Sequence, residues 1–199
     1  MTGEPELIDL LQELRLVGAL KEGHFLLASG RHSNRYIEKF DLLRQPKVTE
    51  HVCRGFAGRF SDANIDVVAG PTTGGVILAY EVGRQLGVAA AYAERKSEGQ
   101  NEREFRRGTT FEPGHRVLLV DDILTTGGSI RETLAALAKH PVEVVAVAVL
   151  VDRSGGATTF GDTPLFALTT LNVETWDKAD CPLCAAGVPL LKPGTTTVV

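Results

Sequence analysis

The chain has 199 residues, 43% of them apolar and 23% charged, the balance of a globular domain large enough to bury its own core. Its net charge of −4 argues against a nucleic-acid-binding surface, which needs a basic excess. No apolar run nears the ~20 residues that cross a bilayer. The acidic start Met1-Thr-Gly-Glu-Pro-Glu-Leu7 has neither the basic nor the apolar region of a signal peptide, so no membrane attachment and a cytoplasmic location are expected.

In chain order, Leu7, Ile8, Leu10, Leu11, Leu14 and Leu16 recur at helical spacing and predict a helix ending near Gly18. His24 to Gly30 reads as a short strand and turn, and Arg35 to Phe40 as a second short extended piece. Pro46 opens a helix to about Phe60, with Val48, Val52, Phe56 and Phe60 on one face. Strand and helix then alternate. Ile65–Ala69 leads through Gly70-Pro-Thr-Thr-Gly-Gly75 into a helix over Val76–Leu86. Ala89–Ala93 is a strand followed by the polar segment Glu94–Gly108. Arg116–Val120 is a strand whose helix runs to about His140, and Phe166–Val173 closes the set. Val142–Val151 is nearly unbroken apolar sequence, as in a strand buried on both faces. Repeated βα units predict an α/β fold with a doubly wound parallel sheet. One domain over residues 1–199 is expected, with 1–45 a small N-terminal hood over the sheet's carboxyl edge and 46–199 the α/β core.

The most informative stretch is Val117-Leu-Leu-Val-Asp-Asp-Ile-Leu-Thr-Thr-Gly-Gly-Ser129. Four apolar β-formers run into two acids and then into a glycine- and hydroxyl-rich turn that opens a helix. Backbone N–H groups and hydroxyls from Thr125 to Ser129, together with the helix N-terminus, suit a phosphate. Asp121 and Asp122 suit a hydroxylated sugar or its Mg²⁺. A plain helix-capping turn is the alternative reading of such acids and glycines. The sequence has no G-x-x-x-x-G-K-[ST], no G-x-G-x-x-G after a strand and no H-E-x-x-H. The three cysteines are Cys53, Cys181 and Cys184. Cys181-Pro-Leu-Cys184 is half of a zinc ribbon's ligand set; it is read as a structural turn, with a redox pair or a metal shared across a dimer as alternatives.

Across those thirteen residues the sequence resembles the ribose-phosphate loop of the type I phosphoribosyltransferases, which use phosphoribosyl pyrophosphate (PRPP). The Cys-Pro-Leu-Cys tail with Gly187-Val-Pro-Leu190 is similar to that of the orotate-using members. The resemblance implies PRPP and orotate as substrates and Mg²⁺ as cofactor, in pyrimidine biosynthesis. It implies Asp121 and Asp122 on the ribose, with Ile123, Leu124, Thr125, Thr126, Gly127, Gly128 and Ser129 around the 5-phosphate. Thr72, Thr73 and Gly74 fall in its pyrophosphate loop, where a strained or cis peptide near Thr72–Thr73 is implied. Arg95 and Lys96 match a catalytic Arg-Lys pair on a basic lid, the 94–108 loop, which in the family reaches a partner's site and so implies a homodimer. Arg103, Arg106 or Arg107 would supply the lid's later charge. Arg153 would contact orotate, with Thr125 beside it and Tyr36 stacking on the base. Ala28 and Gly74 stand where orotate enzymes usually carry cations, with Arg31 as a possible substitute. Transfer to another base, or a non-catalytic PRPP-sensing regulator, is the rival reading.

Overall fold

The computed structural model describes residues 9–27, 29–97 and 101–193. A short helix α1 (Leu10–Leu16) starts where the Asp9 carboxylate accepts the Gln12 N–H at 3.1 Å, as an N-cap should. The antiparallel hairpin of β1 (Leu20–Leu26) and β2 (His32–Ile37) follows. The extended reading of Arg35 to Phe40 fails at its end. The Glu38 side chain accepts the Phe40 N–H at 3.2 Å and starts helix α2 (Lys39–Leu43). Helix α3 (Pro46–Phe60) has the expected bounds, with proline in its first turn.

A six-stranded sheet of β3 (Val67–Pro71), β4 (Ala89–Arg95), β5 (Arg103–Phe105), β6 (Arg116–Leu124), β7 (Glu143–Asp152) and β8 (Leu165–Thr170) has the order β5-β4-β3-β6-β7-β8. All neighbours pair in parallel except β5, which runs antiparallel to β4. The doubly wound parallel sheet is therefore present. From β3 the chain passes through α4 (Gly74–Leu86) to β4 on one side, then crosses to β6 on the other. The gap between the carboxyl ends of β3 and β6 is thus the topological switch point, where open α/β sheets bind ligands.

Alternation along the strands divides the core into two layers. Leu118 and Val120 of β6, with Ala146, Ala148 and Leu150 of β7, face Val52, Phe56, Leu78 and Val82 of α3 and α4. Val117, Leu119, Val147 and Val149 face the other way, onto Ile130 and Leu137 of α5 (Gly128–Leu137). Each fully buried leucine contributes about 1.5–3 kcal/mol, and this two-sided burial holds β6 rigidly beneath the loop it carries.

The polar segment 94–108 is not the open loop expected from its charge. Ala93 pairs with Phe105 and Arg95 with Arg103, making a hairpin. Phe105 packs edge-on against Phe111 at 5.0 Å and against His140 at 5.8 Å, an anchor that outweighs the polar composition around it. Residues 98–100 of that segment lie outside the described residues. A two-residue strand, β9 (Thr175–Trp176), pairs with Ser33 and His32 of β2, so the hood sheet β1-β2-β9 includes sequence from the far end of the chain. After it come a 3-10 turn (Lys178–Asp180) and the short helix α6 (Pro182–Ala185). Among the described residues no helix is long and apolar enough to cross a membrane.

Candidate active site

β6 continues past its apolar run, so Asp121 and Asp122 belong to the strand itself and are 5% and 4% exposed. Asp121 accepts the Asp122 N–H at 2.9 Å and the Ser129 hydroxyl at 2.7 Å. Asp122 accepts the Ile123 N–H at 2.7 Å through Oδ1, while its Oδ2 lies 2.7 Å from Lys39 Nζ. Burial, and then the neighbouring Asp122 charge, push the Asp121 carboxyl up to about 6, against the pull of the Ser129 hydroxyl. The two acids therefore differ: one is ion-paired, the other held by neutral donors in a poorly solvated site.

On the β3 side of the switch point, the Thr72–Thr73 peptide is cis, as the resemblance implied. Gly74 begins α4 against Asp122, where a Cβ would stand 1.8 Å from Oδ2. Glycine here is what lets the acid lie flat against the turn. Beneath the turn, Arg103 is 3% exposed and donates to the Thr72 hydroxyl at 3.0 Å, to the Ala93 carbonyl at 3.2 Å and to Glu132 of α5 at 3.0 Å. Arg103, one of three arginines expected to supply the lid's later charge, instead supports the turn from below. Arg106 binds Glu104 and the Lys96 carbonyl, and Arg107 binds Glu94, so both are engaged within the hairpin.

The turn after β6 presents Thr125, Thr126 and Gly128 to solvent, with Ser129 half-buried behind them. Gly127 adopts φ 77°, a left-handed conformation, and caps α5; glycine takes it at no steric cost. Arg131 donates to the Thr126 carbonyl and lies over the Phe160 ring at 5.3 Å, while the Thr158 hydroxyl donates to the Thr125 carbonyl at 3.4 Å. The Thr125 and Thr126 carbonyls are thereby engaged, while the first N–H groups of α5 have no partner within the helix. Such an arrangement favours an anion.

Arg153 follows β7, its N–H donating to the Leu124 carbonyl at 2.8 Å. Its Nε is buried without a partner and burial holds its pKa down, so one donor of the fork awaits an acceptor. Tyr36 stands close enough for the two groups to influence each other's ionisation, and its ring packs on Phe25 at 5.7 Å. Burial, and then Glu38, raise the Tyr36 hydroxyl pKa, keeping it a neutral donor. Arg95 ends β4 on the same edge, and the exposed Lys96 lies 3.5 Å from Glu102. Arg31 is engaged within the hood. It binds Asp177 at 3.0 Å and the Thr175 carbonyl at 2.8 Å, clamping β9 to the hood. Ala28 lies outside the described residues. The cation the sequence reading missed is Lys39, placed on Asp122 by the unforeseen start of α2; no local motif marks it.

A phosphoribosyl transferase domain model matches residues 41–177, and the chain belongs to that family. Its similarity is more particular than the domain. It is 45% identical over 188 residues to the orotate phosphoribosyltransferase of Caldicellulosiruptor saccharolyticus, covering 94% of this chain and 96% of that one. It is 48% identical over 179 residues to the orotate phosphoribosyltransferase of Carboxydothermus hydrogenoformans, covering 89% and 92%. The crystal structure of orotate phosphoribosyltransferase from Aeropyrum pernix superposes with a TM-score of 0.68 at 29% identity, over 81% of this chain and 93% of that one.

Proposed function

We propose that this protein transfers the 5-phosphoribosyl group of PRPP to orotate, releasing pyrophosphate and forming orotidine 5′-monophosphate in pyrimidine biosynthesis. The observation that carries the reading is the conjunction at one switch point of two buried acids, a glycine-rich turn opening a helix and an unsatisfied guanidinium donor. Orotate N1 gives up its proton, to solvent or to the departing pyrophosphate, and forms a bond to ribose C1 as the bond from C1 to the diphosphate oxygen breaks, with inversion. Asp121 and Asp122 accept hydrogen bonds from the ribose hydroxyls, and Asp122 faces the positive charge that develops on the sugar. Thr125 to Ser129 hold the 5-phosphate, with Ile123 and Leu124 as the rigid stem of that turn. Thr72, Thr73 and Gly74 bring backbone amides to the diphosphate, and Arg95 and Lys96 meet its charge. Arg153 takes a carboxylate or carbonyl oxygen of orotate, with Tyr36 against the ring and Thr125 at its edge.

Mg²⁺ suits these donors: Asp121 and Asp122 are hard oxygen groups already partly engaged by Ser129 and Lys39, which fits an ion carried mainly by substrate phosphates and water. Bound there, it would neutralise diphosphate charge. A homodimer accords with an apolar groove of about 410 Å³ lined by Leu43, Pro46, Thr49, Val76, Ile77 and Tyr80. Tyr80 is 67% exposed, and with the groove it offers apolar surface that a second copy of the chain would cover. A cytoplasmic setting suits three cysteines that form no disulfide.

The test is the loss of orotate absorbance on mixing the protein with PRPP and Mg²⁺, beside the Asp121→Asn/Asp122→Asn double variant. Turnover lost in the variant supports the reading. Intact PRPP binding with no orotate turnover would overturn it in favour of another base or a regulator.

A further inference from the structure

Four metal-ligating side chains from opposite ends of the sequence meet at the hood. His24 comes from β1, His32 from β2, and Cys181 and Cys184 flank the first turn of α6; their ligand atoms all lie within 4.8 Å of one another. The histidines and Cys181 are buried, and Cys184 is partly exposed. His24 Nε2 lies 2.8 Å from His32 Nδ1, 3.5 Å from Cys181 Sγ and 3.7 Å from Cys184 Sγ, and Cys184 Sγ lies 3.3 Å from His32 Nδ1.

We infer that His24, His32, Cys181 and Cys184 form a tetrahedral Zn²⁺ site that fastens the tail of the chain to the hood. With Zn–N near 2.1 Å and Zn–S near 2.3 Å, neighbouring ligands of a tetrahedral site stand about 3.3–3.8 Å apart. Those three sulfur–nitrogen distances already match that range. The two ring nitrogens must separate by about half an ångström relative to that spacing, and the remaining pairs already lie within 4.8 Å. The donor set, two thiolates and two imidazoles, is the one zinc takes in closed structural sites.

The second shell agrees. His24 Nδ1 lies 2.8 Å from the Val188 carbonyl, which can only accept, so Nδ1 carries the proton. The lone pair of the neutral ring is then on Nε2, aimed into the cluster, as in metal-bound histidines oriented by a carbonyl. On binding, the two thiols release their protons to solvent and the His32 proton moves from Nδ1 to Nε2. Two thiolates and two neutral imidazoles then balance the dication.

The tail has reason to need such a fastening. Helix α6 buries none of its residues, and Val188, Leu190 and Leu191 are all exposed. Apart from the cluster, two backbone bonds tie it to β1, Leu26 N–H to Leu191 O and Leu191 N–H to His24 O, both at 2.8 Å. A segment with so little apolar burial is the kind that a metal holds in place. The fastening bears on the hood wall, because Phe25 sits next to His24 in β1 and packs on Tyr36.

The full chain, purified without chelator and in reductant, is assayed for metal by mass spectrometry, then stripped and titrated with Zn²⁺ or Co²⁺. About one zinc per chain is expected, with a thiolate-to-cobalt charge-transfer band and tetrahedral d–d bands in the Co²⁺ form. Zn²⁺ at a hundredfold excess over its dissociation constant should raise the Tm of the stripped protein by about 5–10 °C. Cys184→Ser and His32→Asn should each lose the cobalt–thiolate spectrum or weaken Zn²⁺ binding by at least a hundredfold. A native chain that neither retains zinc, nor gives the cobalt band, nor gains Tm with Zn²⁺ overturns the site. So does a Cys181–Cys184 disulfide in protein purified anaerobically, which would mark a redox pair. None of these readouts requires turnover, so failure of the proposed transferase activity would leave the result unaffected.

Discussion

Gly74 and Asp122 share one space: a Cβ on the glycine would fall 1.8 Å from the aspartate's Oδ2 and 2.9 Å from its Cγ. The turn after β3 and the end of β6 are therefore interlocked, and the acid's position depends on a missing side chain 48 residues upstream. Gly74→Ala should displace the carboxylate and separate it from Lys39. The expected result is a fall in kcat/KM of about a hundredfold, because misplacing a positioning group by about 1 Å costs that much. The stability loss should be about 1–3 kcal/mol. Steady-state kinetics and thermal unfolding of the variant check both.

Lys39 is 34% exposed at its side chain while Asp122 is 6% exposed, so removing the lysine strands a buried charge. Lys39→Met should lower Tm and weaken PRPP binding, whereas Lys39→Arg should restore much of both. Calorimetric titration with PRPP separates the outcomes. Equal behaviour of the two variants would mean that the ion pair does not orient Asp122.

Asp121 has a folded pKa of about 6, above its ordinary value of 3.8. The native state therefore holds its proton longer than the unfolded state does. Stability linked to this group is fully present below pH ~4 and is lost as pH rises to ~6, by about 3 kcal/mol at most. Asp121→Asn should accordingly raise Tm at pH 7, with no gain near pH 4, while transferase activity collapses. If Asp121 binds the ribose as proposed, the same titration predicts that PRPP affinity falls below pH ~6, as its carboxylate becomes protonated. Unfolding curves of both proteins from pH 4 to 8 decide the first point.

Arg153 has a buried Nε without a partner. Arg153→Ala should raise KM for orotate about a hundredfold while leaving KM for PRPP within a few-fold, because only a bond to the base is lost. Arg153→Lys should recover little, since the ammonium cannot reproduce the planar fork. A matched rise in both constants would remove Arg153 from base recognition.

What could be read along the chain was whatever is contiguous. The apolar run of β6, its two acids and the turn to Ser129 lie in thirteen successive residues, and both the period of the strand and the chemistry of the turn survive in one dimension. The same holds for the Gly70–Gly75 turn, and for α3, whose proline start and apolar face match its observed bounds. Where local pattern misled, a specific contact had won. The Glu38 cap turned an expected strand end into α2, and the Phe105–Phe111 pair drew polar sequence into a β-hairpin.

The sequence by itself determined the α/β class, the strand that carries the acids and the glycine-rich turn after it, because strand periodicity and glycine conformational freedom are local properties. Only the tertiary structure decided which charges matter. It brought Lys39 to Asp122, hid Arg103 beneath the Thr72–Thr73 turn, and gave Cys181 and Cys184 two histidine partners more than 140 residues away in sequence. These pairings follow from strand order and hairpin register, which are set by burying both faces of the sheet at once and leave no trace in the spacing of the residues themselves.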